Sequence, residues 1–368
     1  LAIKNELINK TDDVESFILK TKNETSLSKI GDCLVVELPD NCNTLSTSVL
    51  NGGYKENLQA VFNHQLNQEL VDELEDQPIP EYMYKKAKKL GFNPEKVSGL
   101  LTAANINNYA VSKKSFKGLD VTAIVTGGVK CNAGTAGDEA SFYEEDGKFI
   151  NKIGTINTIL IIEAHLDECT LTKAMMTAVE AKVAALQRLM IPSKYSTEIA
   201  TGTGTDGIIL ISNMNSKNKL TNASKHSKLG ELIGTSIIEA TQVALSNESN
   251  ITPESQLDMI VRMERFGVTE TSYLNSVNKS KKLQNISIDN LKQLSKDPVV
   301  VAAIAAILHI EDEVRWKMIP EEAGKKAAYN LMKSFFDNYK SKSSEMNIEN
   351  SIIKGWTENT TDYLKHSS

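Results

Sequence analysis

The segment Ala200-Thr-Gly-Thr-Gly-Thr-Asp-Gly207 gathers three hydroxyls (Thr201, Thr203, Thr205), one carboxylate (Asp206) and three glycines in eight residues. Glycines let backbone N–H groups approach a ligand closely, and the neighbouring side chains can act as nucleophile or general base. The set suits an oxyanion hole combined with acid–base chemistry. A tight glycine turn capped by threonines explains the same residues without chemistry. Gly202, Gly204 and Gly207 also satisfy GxGxxG formally. A dinucleotide fingerprint needs a strand before it and a helix after it, whereas here the apolar run Ile208 to Ser212 follows the loop. No GxxxxGK[ST] run occurs, so a Walker-type phosphate cradle is absent.

Other polar loops join this one. Thr126 to Asp138 follows an apolar stretch and carries Asn132 and Asp138, and Gly154-Thr-Ile-Asn157 opens the next stretch with Thr155 and Asn157. Asn51-Gly-Gly53 and Asn63-His64-Gln65 add uncharged hydrogen-bonding groups, although turn and cap roles explain each individually. Together they outline a site rich in amides and poor in cations, better suited to a large neutral or amide-bearing ligand than to a nucleotide. His226 precedes Leu229 by three residues, which predicts an imidazole on the buried side of a helix's first turn. A core histidine bonded to a backbone carbonyl is the alternative.

The elements that must position these loops follow from periodicity. Strands are expected at Cys33 to Leu38, Val97 to Ala103, Asn108 to Ser115, Leu119 to Gly127, Thr155 to Glu163 and Gly207 to Ser212. One long helix is expected from Thr170 to Met190, with Leu171, Ala174, Ala178, Val179 and Leu186 on its stripe. A second runs from Ser224 to about Leu245, with Leu229, Leu232, Ile233, Ile237 and Ala240 inward. A basic helix, Glu81 to Leu90, presents its lysines to solvent after Gln77-Pro-Ile-Pro80. Beyond Pro253 the pattern is helical. The expected fold is therefore an α/β or α+β layered domain over residues 1–250, with a smaller all-α domain over 251–368.

Composition bounds the function. With 368 residues, 40% hydrophobic and 24% charged, the chain is globular and long enough for two domains. A net charge of -6, from 41 basic and 47 acidic residues, argues against nucleic acid as a partner. Only four of the cations are Arg, so bidentate anion recognition is rare. Four scattered cysteines indicate reduced thiols, and the charged start LAIKNELINK does not resemble a signal peptide. The longest apolar run, Val299 to Ile310, falls short of the roughly 18 residues of a membrane span. A soluble cytoplasmic protein is expected, and its oligomeric state is not legible. The five histidines are spread from His64 to His366 and no His or Cys pair has metal-ligand spacing, so no metal ligands are expected.

As a set, the motifs NGG (51–53), NHQ (63–65), CNAGTAGD (131–138), GTIN (154–157), EAK (180–182), AAL (184–186), ATGTGTDG (200–207) and KHSKLGELIG (225–234) resemble the CbiZ adenosylcobinamide amidohydrolase family. The resemblance covers roughly residues 30 to 247 and rests on eight motifs in the family's order. It implies hydrolysis of the amide that joins the aminopropanol arm to the corrin ring, giving adenosylcobyric acid. The substrate would be a corrinoid, no cofactor would be bound by the protein, and cobalt would enter only within that corrinoid. Amide hydrolysis needs a nucleophile or activated water, donors for the oxyanion and an acid for the leaving amine. On that basis backbone N–H groups between Gly202 and Thr205 (Gly204 included) are the oxyanion donors, Asp206 activates water and His226 protonates the amine. The rival mechanism makes Thr203 or Thr205 the nucleophile with His226 as base, and Cys131 is a further thiol. Asn51, His64, Asn132, Asp138, Thr155 and Asn157 are assigned to the substrate. Glu180 and Lys182 either orient the site or form surface pairs.

The C-terminal segments Asp297 to Glu313 and Met263 to Thr269 faintly resemble CobZ and phosphatidylglycerophosphatase A-type helical modules. Fusion of such a module to a CbiZ domain corresponds to the CbiS arrangement. The chain departs from that family after residue 320, where Lys325 to Lys333 replaces an acidic, Gly-rich segment. Glu311, Asp312 and Glu313 are the carboxylates left to hold Mg²⁺. Three classes remain: a corrinoid amidohydrolase, a bifunctional amidohydrolase and α-ribazole phosphatase, and a non-catalytic corrinoid carrier.

Overall fold

Short runs rich in Val, Ile and Thr, punctuated by Gly, Asn and Asp, become the strands of the first unit. The computed structural model describes residues 15–67, 78–140, 143, 155–279, 288–338 and 351–366. LAIKNELINK, Gln77 and Gly154 lie outside these. In chain order the strands are β1 (Glu15–Lys20), β2 (Ser26–Ile30), β3 (Cys33–Glu37), β4 (Cys42–Ser46), β5 (Gly53–Glu56), β6 (Ala60–Gln65), β7 (Val97–Thr102) and β8 (Ala110–Phe116). They continue with β9 (Leu119–Gly127), β10 (Ala133–Gly134), β11 (Ile156–Ile162), β12 (His165–Leu166), β13 (Gly202–Thr203), β14 (Gly207–Asn213) and β15 (Lys219–Leu220). Among the described residues the helices of this unit are α1 (Ile79–Lys89), α2 (Glu168–Arg188) and α3 (Lys228–Ser249).

Two sheets carry the unit, one in the order β1-β2-β3-β6-β7 and one in the order β5-β4-β14-β11-β9-β8. Two ribbons, β10-β13 and β12-β15, stand beside them. Pairing is antiparallel except for β6 with β7, β11 with β14 and β12 with β15.

Alternation along each strand decides the layering, because successive side chains face opposite ways. Leu34, Val36 and Val61 of the first sheet meet Ile124, Ile159, Ile161, Ile209 and Ile211 of the second in one apolar layer. The residues in between, Cys33, Val35, Ala60 and Phe62, pack outward on Met83 and Ala87 of α1. On the far side of the second sheet, Val121, Val125, Leu160 and Leu210 pack with Leu171, Ala178, Leu229, Ile233 and Ile237 of α2 and α3. Four layers result: helix, sheet, sheet and paired helices. The expected layered α/β domain is present, as are all six expected strands. Val179 departs from the α2 stripe, being 42% exposed.

The second long helix starts later than its apolar spacing suggests. Ser227 accepts from Gly230 N with its hydroxyl and so caps α3 at Lys228, rather than at Ser224. His226 therefore stands in the turn before the cap, where helical spacing no longer applies.

Residues Thr252–Ser368, with the short segment Ser196–Glu198, form a second unit. Its helices are α4 (Met259–Met263), α5 (Glu270–Lys279), α6 (Ile288–Ser295), α7 (Pro298–Arg315), α8 (Glu321–Asn338) and α9 (Ile352–His366). They share a core that includes Met259, Tyr273, Ile304, Met332, Phe336 and Trp356, so this region is all-α as expected. The apolar run on α7 is spent on this core. Among the described residues no single helix is long and apolar enough to cross a membrane.

The carboxylates proposed for Mg²⁺ are dispersed around α7. Asp312 points inward, where Arg265 holds both its oxygens and also donates to the Thr197 carbonyl. Glu313 lies near His309, and burial raises the pKa of Glu311. Consecutive residues on a helix are about 100° apart, so three in a row cannot converge on one ion.

Candidate functional site

Asp206, just before β14, is the hub of the glycine loop. Its Oδ1 accepts from Thr203 Oγ1 at 2.6 Å and from Ile156 N at 2.9 Å. Its Oδ2 accepts from Thr203 N at 3.0 Å and from the Lys182 ammonium of α2. Lys182 and Asp206 are only 14% and 16% exposed, so this ion pair is largely withdrawn from solvent. A carboxylate has about four lone-pair sites, and all four are engaged here.

The ribbon lashes two of the expected loops together: Ala133 pairs with Thr203, and Gly134 with Gly202. Ala136 N donates to Thr201 Oγ1 at 2.9 Å, and Thr201 N to Gly134 O at 2.9 Å. Asp138 accepts from Thr135 N at 2.7 Å and from Ser193 Oγ at 2.6 Å, so its carboxylate fastens its own loop to the segment after α2. Asn132, 1% exposed, sits beside Gly204, whose missing β-carbon would lie 4.0 Å from its Nδ2. The third loop joins through Thr155, which donates to the Thr205 carbonyl at 2.6 Å. Thr126 to Asp138, Thr155 to Asn157 and Ala200 to Asp206 thus converge at the ends of β9, β11 and β14. Gly204 and Thr205 form the exposed tip.

Beneath the tip, a chain of amides crosses between the sheets. Asn157 Nδ2 donates to Asn63 Oδ1 at 2.8 Å and to the Leu101 carbonyl at 2.7 Å. Asn63 Nδ2 donates to Thr126 Oγ1 at 2.8 Å. These side chains are 1–2% exposed, and a buried polar network this well satisfied is rigid. A β-carbon at Gly207 would lie 2.8 Å from Asn157 Oδ1, so only glycine lets β14 pass this network.

Four assigned residues lie elsewhere. His226 is exposed, and among the described residues no hydrogen bond or ion pair joins it to the three loops. Its neighbour Lys225 pairs with Glu180 at 2.6 Å on the surface of α2. Glu180 and Lys182, two positions apart, are separated by about 200° around the helix. Glu180 therefore faces away from Asp206 and takes the surface role. Asn51 donates to the Pro94 and Val97 carbonyls at 2.7 and 2.6 Å, in a turn where its own φ is +50°. His64 is completely buried beneath α1, because it follows Asn63 on β6 and the strand alternates. Asn63 and not His64 belongs to the amide chain. Thr126, at the head of its expected loop, takes part through Asn63, and Ser193 also joins the site; a short polar residue in a turn gave no distinguishing signal.

The fold and site define a layered α/β domain with a Thr–Asp–Lys cluster at its strand-end loops. The family described as adenosylcobinamide amidohydrolase, CbiZ, matches residues 18–253, and the chain belongs to that family. An uncharacterized protein of Methanocaldococcus jannaschii is 34% identical over 230 residues, which is 59% of this chain and 87% of that protein. A Methanosarcina mazei protein named adenosylcobinamide amidohydrolase is 32% identical over 163 residues, covering 44% of this chain and 65% of its own length. A crystal structure of a Pyrococcus horikoshii protein aligns over 63% of this chain and 83% of that one, at 12% identity and a TM-score of 0.30.

Proposed function

We propose that the first unit hydrolyses the aminopropanol amide of adenosylcobinamide to give adenosylcobyric acid in corrinoid salvage, with Thr203 as nucleophile. The observation that carries the mechanism is the 2.6 Å hydrogen bond from Thr203 Oγ1 to Asp206. The four engaged lone-pair sites of Asp206 favour a threonine nucleophile over water activation, since a water would first have to displace a partner. Asp206 takes the Thr203 proton as Oγ1 bonds to the amide carbon. Backbone N–H groups of the exposed Gly204–Thr205 tip stabilise the oxyanion. When the C–N bond breaks, the protonated Asp206 returns its proton to the leaving amine, and water then hydrolyses the threonyl ester to free the carboxylate. Lys182 holds the carboxylate in place throughout. His226, exposed in the turn before α3 and with no hydrogen bond to these groups among the described residues, takes no part. The buried amides of Asn63 and Asn157 keep the loops rigid, and the exposed tip suits a bulky corrinoid whose cobalt arrives with the substrate.

Chromatography after incubation with adenosylcobinamide tests the reaction: a carboxylate product and free aminopropanol are expected, and an unchanged corrinoid would remove the function. Thr203→Ala should abolish turnover while Thr203→Ser retains it. A corrinoid adduct on Thr203, trapped by acid quench and seen by mass spectrometry, is expected. Full turnover by Thr203→Ala would instead return the mechanism to activated water.

A further inference from the structure

On the opposite face of the first sheet, beneath α1, a second group of reactive side chains gathers apart from the loops. Cys33 and His64 are register partners across β3 and β6, and Asp32 ends the turn that leads into β3. Cys33 Sγ lies 3.5 Å from His64 Nδ1 and 3.4 Å from Asp32 Oδ1, while His64 Nδ1 lies 3.4 Å from Asp32 Oδ1. A tetrahedral zinc ion with sulfur at about 2.3 Å and nitrogen or oxygen at about 2.0 to 2.1 Å sets its ligand atoms roughly 3.3 to 3.6 Å apart. All three observed separations fit one face of that tetrahedron.

The surroundings support the fit. His64 Nε2 lies 2.6 Å from the Tyr82 hydroxyl, and the two rings stack with centroids 5.7 Å apart. That contact fixes the ring and leaves Nδ1 turned toward the cluster, the outer-shell arrangement of metal-bound histidines. Cys33 and His64 are fully buried, whereas the Asp32 side chain is 41% exposed and leaves an entrance. At that side the Lys86 ammonium of α1 pairs with Asp32, so positive charge already occupies the position. Among the described residues this is the one group of three such side chains with its ligand atoms within 4.8 Å of one another.

We propose that Asp32, Cys33 and His64 bind a divalent, thiolate-accepting cation, Zn²⁺ by its chemistry, with water as fourth ligand and the Lys86 ammonium displaced. On binding, the Cys33 S–H bond breaks, the sulfur keeps the electron pair as a metal-bound thiolate, and the proton leaves to solvent. No oxidant or reductant is required. The ion would clamp the turn between β2 and β3 to β6 beneath α1, independently of the amidohydrolase loops.

The test uses the full chain, freed of metal by dialysis against chelator and titrated with Co²⁺ and then Zn²⁺. One equivalent of Co²⁺ should produce a thiolate-to-cobalt charge-transfer band that Zn²⁺ abolishes. The band should persist in the double variant Cys131→Ser/Cys169→Ser and vanish in Cys33→Ser. Asp32→Asn, a change at a half-exposed turn that circular dichroism should show to be folded, should weaken affinity at least about tenfold, and Lys86→Met should strengthen it. No stoichiometric band in the wild-type protein, or a band that survives Cys33→Ser, would overturn the site and leave only a hydrogen-bonded cluster. The cobalt band and not turnover is the readout, so failure here leaves the amidohydrolase reading untouched, and the reverse holds.

Discussion

Gly202 lies where a β-carbon would collide with the Asp206 carboxylate and stand 2.7 Å from the Lys182 ammonium. The ion pair at the centre of the glycine loop therefore exists because this position has no side chain. Gly202→Ala should push Lys182 and Asp206 apart. We expect turnover to fall by about 10²-fold, the scale of an ångström-sized misplacement, with the far-ultraviolet circular dichroism unchanged. Near-full turnover of adenosylcobinamide would show that the pair does not set the reaction geometry.

Asp206→Asn tests the same hub differently. Viewed as sequence, this change keeps shape and volume and should leave the melting temperature nearly intact. The structure alters that expectation, since the four donors around Asp206 would then face an amide that itself brings two N–H groups. A loss of about 1 to 3 kcal/mol, the scale of donors left facing a poor acceptor, should accompany a fall in turnover of at least about 10²-fold. Urea unfolding alongside steady-state assay separates the two effects, and an unchanged unfolding midpoint would contradict the saturated hub.

Leu229, 2% exposed in the first turn of α3, serves as the packing control. Leu229→Ala should destabilise by about 2 to 5 kcal/mol through lost burial and a residual cavity. Turnover per folded molecule, measured well below the melting temperature, should not change.

A pH dependence follows from Asp120 on β9. Burial pushes its carboxyl pKa up, but the Ser115 hydroxyl and the Lys113 and Lys22 ammoniums, the latter two 2.9 and 3.1 Å from Oδ2, prevail and bring it down from 3.8 to about 2. A depressed carboxyl stabilises the fold above its unfolded value and loses that contribution as pH falls from 3.8 through about 2. The stability difference between wild type and Asp120→Asn, read from urea midpoints, should shrink across that window. A constant difference would disprove the depressed pKa.

The strands that sequence made visible are those with continuous β-branched runs, such as Leu119–Gly127 and Ile156–Ile162. Less legible were β1 and β5, whose charged or polar residues lie toward solvent, and β2, β4 and β6, whose buried faces carry Ser28, Asn43, Thr44, Asn63 and His64. Polar residues at core positions imitate a loop, and only tertiary hydrogen bonds reveal them as strand. The glycine loop and its two companions were legible as one site because their side chains share a chemistry. His226 was misplaced because a serine one residue later captured the helix start. The proximity of Cys33 and His64 is not legible in the sequence, because a cross-strand pair leaves no local signature when 31 residues separate its members.

On β6, neighbouring residues serve two unrelated purposes: Asn63 braces the loops through the inter-sheet amides, and His64 faces the Asp32–Cys33 pair under α1. A single-residue insertion or deletion upstream in this strand would exchange the two faces, sending imidazole into the amide layer and an amide beneath the helix. The register of one six-residue strand is thus a shared constraint on both places. Each is free to change by substitution, but neither can drift by a change in strand length without the other being lost in the same step.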